Sequence, residues 1–482
     1  AADDNERAAT ALSSYNAIAH RVSYLFDLRG PSLAVDTMCS SSLTAIHLAC
    51  QSLLDGGCEL AIAGGVNLSI HPQKFVALSQ AQIIGSHAGS RSFSDGDGYL
   101  PAEGVGAVLL KPLARARRDG DRILGVIKAS SINHGGRSTG YFAPNVEAQV
   151  QLIEGNFRKA GIDPASIGYV EAAANGASLG DSTEVRALRT VFDNAGVNGL
   201  LCPIGTVKSN IGHAEAASGM AQLSKVILQL QHRMLVPSIK TEPHNPNIDF
   251  ANTPFRLLDQ PTPWVSENGR PRRATISSFG AGGANAHLIV EEFVPPPDET
   301  AVSASMSATS SPEGIVLSAR TTEQLAEVAR RLLAYLNSDA KQAGREQDER
   351  PVTLSNIAHT LQTGREEMDC RLALLVSDID ELRRGLRQYL KMPTEAEGEQ
   401  PVLIHSGNLQ DQLELRNLLS SKAGEAMAQA LAAEGQLEKL MVHWVQGGKV
   451  PWETLRQGRP VQYLALPTYP FARSRYWLSG RA

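Results

Sequence analysis

One cysteine stands where a helix is about to begin. The stretch "VDTMCSSSLTAIHLACQSLLDGG" (35–57) runs from a strand-like segment ending at Thr37 into a helix with apolar residues at helical spacing, and Cys39 lies at that transition. Free backbone N–H groups and the positive end of the helix dipole favour a thiolate there. The same N–H groups would face an oxyanion formed on a carbonyl bonded to the sulfur. The pattern indicates an acyl-accepting nucleophile; the alternative is a small buried cysteine that only packs.

A histidine occupies a similar place later in the chain. His213 lies in "TVKSNIGHAEAASGMAQLSKVILQLQ" (206–231), where small residues permit close packing at a helix start. Lys208 and Glu215 flank this histidine and are predicted to form a charge pair that orients it. On spacing alone, a helix-capping histidine is the alternative. The remaining histidines show no metal-ligand spacing, so no metal site is predicted.

A third strand–turn–helix, "YVEAAANGASLGDSTE" (169–184), carries little chemistry at its tip. Asn175 is the tip residue that could donate a hydrogen bond from an amide side chain. Residues 176–180, "GASLG", also match the G-x-S-x-G pattern of a hydrolase nucleophile elbow at Ser178. Such a pentapeptide arises easily in a small-residue turn, and we interpret this match as coincidence.

Alternating strand and helix patterns must position these residues. Buried strands are predicted at 32–37, 59–66, 106–113 and 123–132. Helices are predicted at 40–54 and 214–231, and the segment "RRATISSFGAGGANAHLIVEEF" predicts two strands around a glycine-rich turn. This alternation predicts an α/β layered fold with a mainly parallel sheet.

Composition divides the chain into four parts. Residues 1–293 form the first domain, and 294–314, rich in Pro, Ser and Thr, are a predicted linker. Residues 315–455 contain two strand–helix units and are predicted to form a small α/β subdomain. The aromatic, proline-punctuated tail 456–482 is expected to lie against another surface.

Bulk properties exclude several classes of protein. The 482 residues carry a net charge of −5 without a Lys/Arg cluster, so no nucleic-acid partner is predicted. Five cysteines without disulfide or zinc spacing favour a reducing compartment. No signal peptide and no apolar run of membrane-spanning length are present, so we expect a cytoplasmic protein without membrane contact.

Four segments together resemble the ketosynthase domain of modular polyketide synthases. They are "YNAIAHRVSYLFDLRGPSLAVDTMCSSSLTAIHLAC", "GDGYLPAEGVGAVLLKPL", "TVKSNIGHAEAASGMAQL" and "SSFGAGGANAHLIVEE", in the family's order over about residues 15–293. The resemblance implies a thiolase-like fold, a homodimer, and acyl groups delivered on the phosphopantetheine of acyl carrier proteins, with no bound cofactor. It places the nucleophile at Cys39, one active-site histidine at His213, and a supporting lysine at Lys208.

The rest of the chain resembles the same family. "LSNIAHTLQTGREEMDCRLALLVSD" is similar to the flanking linker subdomain, and "LPTYPFARSRYWL" to the segment that wraps back on the ketosynthase. No acyltransferase domain lies between these two segments, and Ala281 stands where many relatives carry Phe. The resemblance therefore implies the class that is served by a separate acyltransferase. Because only 38 residues precede Cys39, we also expect that most of the family's N-terminal half is absent from this chain.

The turn at 171–182 departs from the family pattern, which is approximately Glu-Ala-His-Gly-Thr-Gly-Thr-x-Leu-Gly-Asp-Pro. Here it reads "EAAANGASLGDS", so Ala173 stands where the family has its second catalytic histidine. The backbone N–H groups of Cys39 and Ala281 would still hold an oxyanion during acyl loading. The resemblance thus implies a non-elongating ketosynthase that takes an acyl intermediate from an upstream carrier protein and hands it unchanged to a downstream one, among other synthase domains. An elongating ketosynthase, with Asn175 supplying a donor, and a catalytically silent scaffold remain the alternatives.

Overall fold

The computed structural model describes residues 14–197, 201–266, 269–296, 312–338, 352–393, 400–411, 413–455 and 461–475. The chain divides into two compact units, Ala1–Arg115 with Ile123–Val294 and Ala116–Arg122 with Pro295–Ala482. Most of the predicted linker, residues 297–311, lies outside the described residues, as do 456–460 and 476–482 of the predicted tail.

The first unit alternates helices and strands. Its helices are α1 (Asn16–Leu25), α2 (Ser41–Leu54), α3 (Gln73–Gln80), α4 (Leu113–Arg118, which reaches the unit boundary), α5 (Val146–Ala160), α6 (Ser178–Asn194), α7 (Lys208–Ile211) and α8 (Ser218–His232). Its strands are β1 (Ala61–Asn67), β2 (Gly104–Leu110), β3 (Val126–His134), β4 (Tyr169–Glu171), β5 (Cys202–Gly205), β6 (Met234–Leu235), β7 (Phe255–Arg256), β8 (Thr262–Pro263), β9 (Arg273–Phe279) and β10 (Ala284–Glu291).

A six-stranded mixed sheet lies at the centre of this unit, in the order β3-β10-β9-β4-β5-β7. The pairs β4–β9, β4–β5 and β5–β7 are parallel, whereas β10 is antiparallel to both β3 and β9. The prediction of a mainly parallel sheet is therefore correct for only one half of it. The antiparallel half exists because the short turn 280–283 joins β9 to β10 directly, which only an antiparallel pair permits. The carboxyl ends of β4, β5 and β9 share one edge.

The predicted strand at 32–37 is absent. The residues there make only an isolated bridge between Thr37 and Cys39, and the Thr37 N–H donates to the Ser41 hydroxyl at 2.9 Å instead of to a neighbouring strand. Leu33 is 65% exposed, so this apolar side chain is not buried in a core of the described residues. The predicted strands at 59–66, 106–113 and 123–132 correspond to β1, β2 and β3, with shifts of a few residues at their ends.

Helix α5 shows how the local sequence sets an element that covers the sheet. Asn145 caps its start by accepting from the Ala148 N–H, and Gly161 ends it in the left-handed conformation at φ 62°. Ile153 and Phe157 on its inner face are buried in a core that also includes α6. Burying each such side chain contributes about 1.5–3 kcal/mol to the free energy of folding.

The second unit has its own sheet and core. Strands β11 (Glu313–Ala319), β12 (Cys370–Val376) and β13 (Leu403–Asn408) form an antiparallel sheet in that order. Its helices are α9 (Thr322–Asn337), α10 (Leu354–Thr363), α11 (Ile379–Tyr389), α12 (Leu413–Leu419), α13 (Lys422–Ala433), α14 (Leu437–Val445) and α15 (Trp452–Leu455). The two predicted strand–helix units correspond to β11–α9 and β12–α11.

The described part of the tail packs within this second unit. Leu464 and Leu466 are buried in its core. The Tyr469 hydroxyl donates to the Gln324 side chain at 2.8 Å and accepts from the Arg320 N–H at 3.1 Å. The aromatic tail thus lies on the start of α9, with its hydroxyl satisfied by polar groups there.

Candidate active site

Cys39 lies two residues before α2, in a loop that side-chain hydroxyls hold in place. Met38 adopts φ 58°, an uncommon conformation for a residue with a side chain. The Cys39 carbonyl accepts from the hydroxyls of Ser218 at 3.1 Å and Ser278 at 2.8 Å, which belong to α8 and β9. Two elements distant in sequence therefore fix the backbone of the predicted nucleophile.

Two backbone N–H groups converge on the sulfur of Cys39. They belong to Ala281 and to Cys39 itself, the residues from which the sequence predicts an oxyanion hole. The approach depends on glycine, since a Cβ atom at Gly280 would lie 2.3 Å from the Thr37 carbonyl oxygen and 3.1 Å from the Ser40 hydroxyl. The turn between β9 and β10 can therefore deliver the Ala281 N–H only because residue 280 has no side chain.

The pKa of the Cys39 thiol is raised. Burial is the largest cause; the Ala281 N–H and the charge of Lys208 oppose it, and the charge of Glu215 adds to it. The sequence-based expectation of a thiolate is therefore wrong in its net result, although the backbone donors act in the expected direction. Desolvation of the charged sulfur outweighs them.

His213 is buried and is fixed as one tautomer. Its Nδ1 accepts the Glu215 N–H at 3.1 Å, so the neutral ring carries its proton on Nε2. Burial, followed by the charges of Lys208 and Lys74, holds the pKa of His213 well below its ordinary value. The side chain is consequently an uncharged N–H donor near neutral pH.

Lys208, the first residue of α7, is 2% exposed, and its Nζ has no hydrogen-bond partner among the described residues. Burial lowers its pKa, while the charges of Glu171, Glu184, Cys39 and Asp181 oppose that shift. Lys208 thus influences neighbouring groups such as Cys39 through its charge and not through a hydrogen bond.

The predicted charge pair between Lys208 and Glu215 is wrong. The Glu215 carboxylate instead pairs with Lys74 at 2.9 Å and accepts from the Tyr99 hydroxyl at 3.3 Å. Helix α7 and the glycine that ends it separate the two residues, so nearness along the chain does not bring their side chains together.

Ala173 follows β4 at the same sheet edge as the nucleophile loop. Strand β4 pairs in parallel with β9, and the Gln222 amide bridges the carbonyls of Ala172 and Ser277 at 3.0 and 2.8 Å. The next residue of β9, Ser278, holds the Cys39 carbonyl. Ala173, where the family resemblance places a histidine, therefore lies at the sheet edge to which Ser278 anchors the Cys39 backbone.

The backbone of this turn is tied to two buried carboxylates. The Ala173 N–H donates to Glu184 at 2.8 Å, and the N–H groups of Asn175 and Gly176 donate to Asp181 at 2.9 and 3.2 Å. Gly176 has φ 96°, which favours glycine. These bonds and the conformation of Gly176 give the turn a defined geometry.

Sequence reasoning missed these two acids. Burial raises the pKa of Asp181 to about 6 and raises that of Glu184 as well. Their spacing of three residues within the first two turns of α6, just after a small-residue loop, is the signal that could have identified them as binders of loop N–H groups.

Among the residues that the structure describes, the Ser178 hydroxyl has no partner of hydrolase type. Its hydroxyl donates to Asn245 at 3.1 Å and accepts from Asn247 at 3.2 Å. Both partners are neutral amides that cannot serve as a general base. This geometry agrees with the interpretation of "GASLG" as coincidence.

Within the described ranges, no helix is both long and apolar enough to cross a bilayer. The same residues contain no group of three or more His, Cys, Asp or Glu side chains arranged to hold a metal ion.

Three domain families match the sequence. Residues 2–116 match the β-ketoacyl synthase N-terminal domain, 124–242 match the β-ketoacyl synthase C-terminal domain, and 316–392 match the RhiE-like KS-MAT linker domain.

Two similar proteins are much longer than this chain. Polyketide synthase PksL of Bacillus subtilis is 44% identical over 479 residues, which are 97% of this chain and 10% of that protein. Polyketide synthase ThaG of Burkholderia thailandensis is 44% identical over 491 residues, which are 98% of this chain and 8% of that protein. The chain thus spans about a tenth of these relatives.

Solved structures match over most of their length. The ketosynthase from module 6 of the bacillaene synthase of Bacillus subtilis 168 has a TM-score of 0.84 at 34% identity, covering 97% of this chain and 78% of that one. The oxazolomycin ketosynthase domain OzmH KS7 of Streptomyces albus JA3453 has a TM-score of 0.80 at 43% identity, covering 97% and 74%. These neighbours confirm the predicted thiolase-like layered fold.

Proposed function

Since this chain belongs to the ketosynthase family of modular polyketide synthases, we propose that it accepts an acyl group on Cys39 from one acyl carrier protein and passes it unchanged to another. The proposal separates two reactions of the family, acyl loading and chain elongation. Each needs a different set of hydrogen-bond donors.

Loading requires a thiol and an oxyanion hole. Cys39 gives up its proton to water, and its sulfur attacks the thioester carbonyl carried on the phosphopantetheine of the upstream carrier protein. The carbonyl oxygen becomes negatively charged, and the N–H groups of Cys39 and Ala281 stabilise that charge. The carbon–sulfur bond to the carrier then breaks, and the carrier thiolate takes up a proton. Unloading repeats these steps in reverse onto the downstream carrier.

Elongation requires donors at a second oxygen. Decarboxylation of a malonyl thioester leaves negative charge on the thioester oxygen of the resulting enolate. His213 retains an Nε2–H that can donate to this oxygen. Ala173 offers only a methyl group, and its backbone N–H is engaged by Glu184. Loss of one such donor costs about 10²–10³ in rate, and alanine at this position is the observation that carries the proposal.

An elongating ketosynthase is the second candidate, because His213 and Lys208 are both retained. It would need a replacement donor, and Asn175 is the nearest amide in the sequence. The Asn175 Oδ1 accepts from the Ala177 N–H at 3.0 Å, which orients this side chain within the turn. A silent scaffold is less well supported, because such a protein does not need two N–H groups directed at a thiol.

The same proposal assigns partners. The domain acts between an upstream and a downstream acyl carrier protein, as a homodimer in the cytoplasm, within a synthase served by a separate acyltransferase. Ala281 supports the last point, since the family resemblance associates a residue other than Phe at this position with that class. No resident cofactor takes part, because the acyl group arrives already activated as a thioester.

Intact-protein mass spectrometry tests the proposed function. The domain is incubated with an acyl-loaded upstream carrier, together with an empty downstream carrier or a malonyl-loaded one. We expect an acyl adduct on Cys39 and unchanged acyl on the downstream carrier, with no lengthened product. A β-keto product two carbons longer would establish elongation, and absence of any adduct would establish the scaffold.

A further inference from the structure

Glu215 contacts His213 through its backbone. Its N–H donates to the His213 Nδ1 at 3.1 Å, and this bond sets which ring nitrogen carries the proton. Glu215 adopts φ 43°, a left-handed conformation that is unfavourable for a residue with a side chain. Such a conformation persists only when surrounding contacts enforce it.

The Glu215 side chain provides two of those contacts. Its carboxylate pairs with Lys74 of α3 at 2.9 Å and accepts from the Tyr99 hydroxyl at 3.3 Å. The Tyr99 ring in turn packs edge-on against the His213 imidazole, with 4.8 Å between ring centroids. Glu215, Tyr99 and His213 therefore form a closed triangle of contacts.

Lys74 links this triangle to the rest of the unit. Its Nζ also donates to the Asn67 Oδ1 at 2.9 Å, and the Asn67 amide donates to the Ala102 carbonyl at 2.8 Å. The Ala102 N–H returns to the His213 carbonyl at 3.0 Å. The Lys74 ammonium group is thus held by Asn67 as well as by Glu215.

We propose that Glu215 is a positioning residue, whose side chain, gripped by Lys74 and Tyr99, holds its backbone N–H on His213 and places a negative charge beside Cys39. The Nε2–H of His213 then faces the substrate in one fixed orientation. The inference rests on the proposed function for its purpose, but its two physical consequences can be measured without any carrier protein.

The expected effect of Glu215 on the ionisation of Cys39 follows from the charged groups that face the thiol. Lys208 favours the thiolate and Glu215 opposes it, while His213 and Tyr99 are uncharged near neutral pH because burial shifts the pKa of each away from its charged form. Neutralising Glu215 removes the one negative charge in this set. The Glu215→Gln variant should therefore ionise Cys39 at lower pH.

The first measurement is the rate of Cys39 alkylation by iodoacetamide against pH, followed by peptide mass spectrometry. We expect the midpoint of Glu215→Gln to fall by about 0.5–1 pH unit, the effect of one unit charge in a partly solvated site. Glu59→Gln, which removes an exposed carboxylate paired with Arg115, should leave the midpoint unchanged. An unchanged midpoint in folded Glu215→Gln would overturn the proposal.

A second variant covers the case in which Glu215→Gln does not fold. Lys74→Met leaves the Glu215 charge uncompensated, so the alkylation midpoint should rise instead of fall. In ¹⁵N spectra of histidine-labelled protein, the unchanged chain should show His213 protonated at Nε2 only, and both variants should weaken that preference. A His213 signal from the other tautomer in the unchanged chain would also overturn the proposal.

The proposed function and this inference fail in different ways. If the alkylation midpoints shift as expected but no acyl group reaches Cys39 from any carrier, the proposed function is wrong and the positioning role stands. If acyl transfer occurs but the midpoints do not move, the reverse holds.

Discussion

The nucleophile loop at 37–41 and the turn at 172–177 both precede a helix at the same edge of the central sheet, yet they are held in different ways. Serine hydroxyls from two other elements fix the loop by its carbonyl, and two N–H groups point at its sulfur. At the turn the direction is reversed, because the backbone N–H groups point inward to Asp181 and Glu184.

This contrast separates the geometry of a site from its chemistry. The turn retains the hydrogen bonds that shape it although the side chain at Ala173 can donate nothing. Under the proposed function, the difference from an elongating site is confined to one side chain, and the backbone hydrogen bonds that would support a histidine are present. Acyl loading, which depends on the other region, is expected to be independent of this change.

The largest expected effect lies at the nucleophile. Cys39→Ala should eliminate the acyl adduct completely, because it removes the thiol on which the backbone groups of Cys39 and Ala281 act. Intact mass after incubation with an acyl-loaded carrier measures it, with Cys50→Ala as a matched thiol removal that keeps full loading. Retained loading in Cys39→Ala, combined with loss in Ser178→Ala, would favour the hydrolase-like interpretation.

Ala173→His tests the turn at 172–177 in the same way. If the turn has kept its geometry, restoring the imidazole should raise the rate of malonyl decarboxylation and condensation by about 10²–10³. Loading of Cys39 should stay within a few-fold of the unchanged chain. Release of carbon dioxide and the mass of the lengthened product measure the two outcomes, with Ala172→Ser as the neighbouring control. Full condensation by the unchanged chain would show that Ala173 does not separate acyl loading from elongation.

Lys208→Met probes the field that reaches the thiol. The lysine charge lowers the pKa of Cys39, so its removal should raise that pKa and slow loading at a fixed pH below it, about tenfold for each pH unit of the shift. Lys225→Met is the matched control, since Lys225 is also buried but pairs with Glu171 at 2.9 Å. Loading rates across a pH series distinguish the variants, provided that thermal unfolding shows both to be folded. Equal pH profiles for the two would show that Lys208 has no specific effect on Cys39.

The smallest expected effect concerns the turn itself. Burial raises the pKa of Asp181 from 3.8 to about 6, so its stabilising effect is complete below about pH 4 and is lost as the pH rises through 6. The unchanged chain should therefore gain about 1 kcal/mol of unfolding free energy relative to Asp181→Asn between pH 7 and pH 5. Urea unfolding at both pH values measures this difference, and Asp193→Asn, on the exposed face of α6, should show none. A difference that does not change with pH would mean that Asp181 does not titrate in this range.

Sequence predicted the parts of the site that depend on local pattern. Cys39, Ala173 and His213 each lie a few residues before a helix, as the local patterns predict, although no strand precedes Cys39 in the described part of the chain. The glycine-rich hairpin around Ala281 is also present, because alternating apolar residues and the glycines of its turn act over short distances.

What sequence missed depends on contacts between distant segments. The segment 32–37 has a strand-like composition, but strand formation needs a neighbouring backbone and not only suitable residues. Glu215 pairs with Lys74, 141 positions earlier in the chain, instead of with Lys208. The net pKa shift of Cys39 could not be predicted from the sequence either, because it is a balance between burial and charges that only the folded chain defines.

The close approach at Gly280 bears on how such domains can be recombined. A Cβ atom at Gly280 would lie 2.3 Å from the Thr37 carbonyl oxygen, so the β9–β10 hairpin and the nucleophile loop pack closely together. They behave as one structural part, although they come from distant segments of the first unit. A chimeric synthase whose junction falls between these segments would join a loop from one parent to a hairpin from another. Junctions that keep 37–41 and 280–283 from a single parent should preserve acyl loading in the exchanged domain.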